Sequence, residues 1–173
     1  HALYGGLELE GGRFVNDNFD RYPLMRMPQV PEVEVHFALS EDGWWGGIGE
    51  YAAFRGKPPE AFWNDRQIID DFKATVRHLI TRKNVYTGVA YRDEPAILGW
   101  QTGNEIDSTP EWTREISAYI KGLAPNHLVI EGKSLRGVPV WSLDDPNIDV
   151  ITTHHYPWGE DHDYARQIRA AHA

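Results

Sequence analysis

Two short stretches carry side chains that could do chemistry, and both follow an apolar run. The first is Asn104-Glu105, reached from Ala96 to Trp100 through Gln101-Thr102-Gly103. The second is His154-His155-Tyr156-Pro157, which closes the apolar run Ile148 to Thr153. A carboxyl at a strand end is a candidate for proton transfer. A His and a Tyr on a second strand end can line the same cleft. His154 and His155, with Asp161, His162 and Asp163 nearby, also have the residue types of a metal site. Adjacent residues of a strand point to opposite faces, however, so the two histidines cannot readily share one ion. No metal is therefore expected.

These groups need elements to hold them. Val33 to Leu39 alternates apolar and polar residues and reads as a strand. Ser40 to Pro59, rich in Gly and aromatics, reads as a loop. Asn64 to Lys83 carries Ile68, Ile69, Phe72, Val76, Leu79 and Ile80 at helical spacing, with Asn64 or Asp65 as cap. Ser108-Thr109-Pro110-Glu111 reads as a capping box opening a second helix. Its apolar face is Trp112, Ile116, Ile120 and Leu123, and Gly122 and Pro125 end it. His127 to Ile130 and Ile148 to Thr153 are two more buried strands, and Lys133 to Asn147 looks poor in helix. Asp161 to Ala173 reads as a last helix, opened by Glu160, Asp161 and Asp163. Strands alternating with helices predict a parallel sheet built from βα units. In such a sheet the reactive groups collect at the C-terminal strand ends, where Asn104-Glu105 and His154 to Pro157 both fall.

Composition narrows the substrate. The chain has 173 residues, a net charge of -9 and no cysteine. The acidic balance argues against nucleic acid and against an anionic membrane surface. A neutral polysaccharide is compatible with it. No apolar run approaches the ~20 residues needed to span a bilayer. His1 to Gly12 lacks the features of a signal peptide. Seven Trp and eight Tyr, many in Gly/Pro-rich loops, could supply flat platforms for sugar rings. Trp100 and Trp112, inside predicted elements, are read as core instead.

The run from Tyr86 to Glu105, through Tyr91-Arg92-Asp93-Glu94-Pro95 and on to Asn104-Glu105, resembles the fourth-strand region of family 5 glycoside hydrolases. It is most similar to that of their mannan endo-1,4-β-mannosidases. Pro125-Asn126-His127-Leu128-Val129 resembles the family's entry to the fifth strand. Pro146 to Pro157, ending His-x-Tyr-Pro, resembles its sixth strand. The resemblance covers about Leu39 to Ala173. It implies a (β/α)8 barrel, present as a partial barrel of about strands three to six, in a single catalytic domain over residues 1–173. Residues 1–32 fit the pattern poorly, because Pro23, Pro28 and Pro31 interrupt a helix that the family runs unbroken before its third strand.

The resemblance implies roles residue by residue. Glu105 matches the general acid/base, and Asn104 the residue that bonds the sugar 2-hydroxyl. His154 and Tyr156 match the pair beside the nucleophile. Trp45, with Trp44 next to it, matches an aromatic after the third strand, and Trp158 a loop aromatic after the sixth. The family's nucleophile, a Glu ending the seventh strand, is expected beyond the chain, so the fragment alone is expected to be inactive. Glu131 ends the fifth strand, but the family gives it no nucleophilic role. The implied reaction is retaining cleavage of internal β-1,4 linkages in mannan, without a cofactor. The alternatives are a β-glucanase or other β-glycosidase of the same clan, and a non-catalytic carbohydrate-binding remnant. The resemblance also suggests secretion.

Overall fold

The computed structural model describes residues 8–10, 13–15, 35–38, 47–133, 138–152 and 169. Strands β1 (Glu8–Glu10) and β2 (Arg13–Val15) pair antiparallel, with Leu9 opposite Phe14. Periodicity gives no hint of this small hairpin, although Gly11-Gly12 between the strands is a two-residue hairpin signature. The main sheet has four strands, β3 (Val35–Ala38), β4 (Ile97–Gln101), β5 (Leu128–Glu131) and β6 (Val150–Ile151). They lie side by side in chain order, every neighbouring pair parallel. The sheet expected from alternating strands and helices is therefore present.

The crossovers carry α1 (Ile48–Phe54), α2 (Arg66–Thr81), α3 (Pro110–Leu123) and the four-residue α4 (Val140–Leu143). Helix α1 corrects the reading of Ser40 to Pro59 as loop. It is short and has no side-chain N-cap, so periodicity is a weak guide. Its stop signal is legible in Gly56, whose φ of +66° closes a Schellman turn. Gly56 N donates to Ala53 O, and Lys57 N to Ala52 O. In α2 the cap is Asp65, whose carboxylate accepts from Gln67 N and Ile68 N. The predicted capping box before α3 does not form. Thr109 is the N-cap and accepts from Trp112 N, while Ser108 lies one residue too early and accepts from the Thr113 hydroxyl instead. Helix α3 also runs through Gly122 to Leu123 rather than stopping at the glycine.

The apolar faces of α2 and α3 bury as predicted. Ile68, Phe72, Val76 and Ile80 of α2 meet Trp112, Ile116 and Ile120 of α3 and Trp100 and Val129 of the sheet in one cluster. Phe62, Phe72 and Trp112 pack with ring centroids 5.4 to 5.6 Å apart. Trp100 and Trp112 are thus core, each nearly devoid of solvent contact. Fully burying side chains of this size contributes ~2–3 kcal/mol each, which is what fixes the helices on the sheet.

Candidate active site at the strand ends

Beyond β4 the backbone is tied to β5 twice. Thr102 N donates to Ile130 O at 2.9 Å, and Ile106 N donates to Gly132 O at 3.0 Å. Gly132 N returns a bond to the Thr102 hydroxyl at 3.2 Å. Between these ties the two backbones pass so closely that a Cβ on Gly132 would overlap the Gly103 carbonyl, with its carbon only 2.6 Å away. Position 132 therefore demands glycine for closeness rather than for flexibility.

The segment held this way carries Asn104 and Glu105, both half-buried at the rim. Glu105 has φ +54°, the one non-glycine residue in left-handed conformation among the described residues. That conformation costs a side-chain-bearing residue ~1–2 kcal/mol, and it persists only where the surroundings enforce it. Such outliers concentrate at functional sites. The turn places a carboxyl at the mouth of the sheet, beside an amide.

The end of β5 supplies what the residue pattern does not foretell. Glu131 is fully buried. Its Oε1 accepts from Lys133 N at 2.9 Å, and Oε2 has no partner among the described residues. Burial pushes this carboxyl up to about 7, against the weaker opposing pull of the Lys133 amide and charge. Lys133 is itself only 6% exposed, with Nζ donating to Asp107 Oδ1 at 2.8 Å and to Ser108 O at 2.7 Å. The Trp141 ring lies 5.6 Å from the same ammonium. The only sequence signal is a Glu-Gly-Lys run leaving a strand. Glu131 is thus walled in, with no exposed surface.

The strand ends of β4 and β6 are not immediate neighbours, because β5 lies between them. Two strand spacings, ~10 Å, therefore separate β4 from β6. His154, Tyr156 and Trp158, together with Trp44 and Trp45, lie outside the described residues, as do His155, Asp161, His162 and Asp163. Among the described residues no group of acids and histidines could hold a metal ion, and no helix is long and apolar enough to cross a membrane. A surface recess of about 430 Å³ sits between α2 and α3, lined by Trp63, Arg66, Trp112 and Glu115 among others. It includes neither Asn104 nor Glu105 and is separate from the rim.

The opposite end of the sheet has a different character. Trp100 Nε1 donates to His127 Nδ1 at 3.0 Å. Burial lowers the His127 pKa, and its bond to the Glu94 backbone opposes that only in part. Nearby, Asn84 Oδ1 accepts from Tyr86 N and Thr87 N, and Gly88 turns at φ +72°. Tyr91 is fully buried. The Tyr86 to Pro95 stretch thus forms a turn at the N-terminal face, where residues of parallel barrels serve stability rather than chemistry.

Residues 24–169 match the family model described as GH family 5 beta-mannosidase-like. The chain belongs to glycoside hydrolase family 5. The family 5 assignment is supported by individual relatives. The chain is 31% identical over 120 residues to mannan endo-1,4-beta-mannosidase 1 of Arabidopsis thaliana, covering 62% of this chain and 29% of that one. The solved endo-1,4-beta-mannanase of Rhizomucor miehei superposes with a TM-score of 0.76 at 27% identity, covering 92% of this chain and 57% of that one. The endo-beta-1,4-mannanase of Thermotoga petrophila gives 0.73 at 29% identity, covering 93% and 44%. Family 5 mannanases are (β/α)8 barrels, and the four parallel strands here are part of one. The chain spans only 20% to 29% of the first three curated relatives.

Proposed function

We propose that the chain belongs to the catalytic domain of a retaining hydrolase that cuts internal β-1,4 linkages of mannan-type polysaccharide. The observation that carries the reading is Glu105, held at φ +54° beside Asn104 where β4 opens onto the rim. Solved relatives named as mannanases share this fold.

In this reading Glu105 protonates the departing glycosidic oxygen, then takes a proton from the incoming water. Asn104 bonds the 2-hydroxyl of the sugar under attack, a contact that tightens as the ring gains oxocarbenium character. His154, Tyr156, Trp44, Trp45 and Trp158 are assigned to sugar binding, a role that suits aromatic rings. Retention requires a second carboxyl about 5 to 5.5 Å from the first. Glu131 is buried and bonded to the Lys133 amide, so it is not that group. The nucleophile is assigned to residues outside these 173, and the chain alone is proposed to bind mannan without cleaving it.

The test is turnover of β-1,4-mannan by the chain and by longer polypeptides that carry it. In an active longer form, Glu105→Gln is expected to lower kcat by ~10²–10⁴-fold while manno-oligosaccharide binding persists. Wild-type turnover by that variant overturns the assignment of Glu105. Retaining turnover by the 173 residues alone overturns the missing nucleophile. Faster cleavage of β-glucan than of mannan favours the alternative substrate within the clan.

A further inference from the structure

A lysine buried at a sheet rim is costly unless its charge is fully occupied. Lys133 has its amide on Glu131 Oε1 and its ammonium on Asp107 Oδ1 and the Ser108 carbonyl, over the face of Trp141. Asp107 and Ser108 belong to the segment that leaves Glu105 and enters α3. The backbone of the same segment pairs with Lys133 directly, since Ile106 and Lys133 form a parallel bridge and Ile106 N donates to Gly132 O at 3.0 Å. Residues 106, 107 and 108, which follow Glu105 at once, are therefore all held by Gly132 and Lys133, just beyond β5.

We infer that Lys133 is a positioning residue for Glu105, holding the turn after β4 in the left-handed conformation that presents the carboxyl at the rim. The ion pair with Asp107 contributes little by charge, because Asp107 is 79% exposed. The buried bond to the Ser108 carbonyl and the backbone bridge do most of the holding. A left-handed glutamate relaxes when nothing opposes relaxation, and this lysine opposes it from the neighbouring strand end. The catalytic part of the inference rests on the reading of Glu105 as acid/base. The structural part does not.

Two readouts separate those parts. The first is amide hydrogen exchange at Ile106 in the 173-residue chain, with Val129 as a distant control. Lys133→Met is expected to speed exchange at Ile106 by about tenfold and to leave Val129 unchanged, with Lys133→Arg close to wild type. Should Lys133→Met fail to fold, Lys133→Gln replaces it, with the same expected rise at Ile106. Unchanged Ile106 protection in the folded variant overturns the inference. The second readout is the split between kcat and KM in an active longer form. Lys133→Met is expected to lower kcat by about 100-fold with KM within about twofold, and Lys133→Arg to restore it, because a displaced acid misaligns the reaction without loosening the sugar. A loss confined to KM overturns it. If no form cleaves mannan, the functional proposal fails while the exchange result still decides whether Lys133 holds the turn.

Discussion

The two ends of β4 and β5 are built from the same backbone ladder but solve different problems. At the N-terminal end, Trp100 Nε1 meets His127 Nδ1 and the Asn84 side chain meets the amides of Tyr86 and Thr87. These bonds join neutral groups, and the left-handed position there is a glycine, Gly88. At the C-terminal end, the left-handed position is Glu105, a carboxyl oxygen of Glu131 lacks a described partner, and a lysine is buried beside it. One end minimises unsatisfied charge and strain, and the other keeps both. Strained backbone and perturbed carboxyls cluster at functional sites, which makes the C-terminal end the candidate site.

The contrast can be broken most forcefully at the close approach of Gly103 and Gly132. Gly132→Ala inserts a methyl group into the Gly103 carbonyl, which backbone cannot avoid without moving. It is expected to cost ~3 kcal/mol or more, measured by urea unfolding, and to displace the turn that carries Glu105. A tolerated alanine would show that the rim is looser than its geometry implies.

His127→Ala probes the other end. It leaves the Trp100 indole N–H buried without its acceptor, at an expected cost of ~1–3 kcal/mol. Mannan turnover in an active longer form should stay within about twofold, since the scaffold end does no chemistry. A large fall in kcat without loss of stability would erase the distinction between the ends.

The third contrast is a difference in pH dependence. The folded pKa of His127 is depressed, so its contribution is present above about pH 6.5 and is lost as pH falls below that value. The folded pKa of Glu131 is raised from 4.5 to about 7, so its contribution is full below the ordinary carboxylate range and is lost as pH rises from there through about 7. The sum for Glu131 is on the order of 3 kcal/mol. Unfolding midpoints followed from pH 4 to 8 should show His127→Asn flattening the acid side of the profile. Glu131→Gln should remove the loss of stability that accompanies rising pH. Identical profiles for both variants and wild type would remove the electrostatic part of the comparison.

The core, the order of the strands and the position of Glu105 beyond the end of β4 are legible in the sequence, because periodicity and a motif report them directly. Ile68, Phe72, Val76 and Ile80 repeat at helical spacing, and they are the buried face of α2. Helix α1 escapes because seven residues without a side-chain cap offer little period to read. The capping box misleads because Ser108 and Thr109 are both competent caps, and only packing decides which stands at the helix start. Lys133 and Glu131 escape for a different reason. Long-range burial of a charge is settled by what packs around it, and a Glu-Gly-Lys run has no local pattern to announce it. The Tyr86 to Pro95 stretch carries much of the resemblance to mannanases, yet it forms a turn at the scaffold end.

The most direct test of the acid/base role is chemical rescue. Glu105→Ala, in a longer form that cleaves mannan, is given an aryl β-mannoside whose leaving group departs without protonation, with and without azide. An acid/base at position 105 predicts slow turnover that azide accelerates, yielding β-mannosyl azide with retained configuration. Full turnover of mannan by Glu105→Ala, or a rate indifferent to azide, would contradict it.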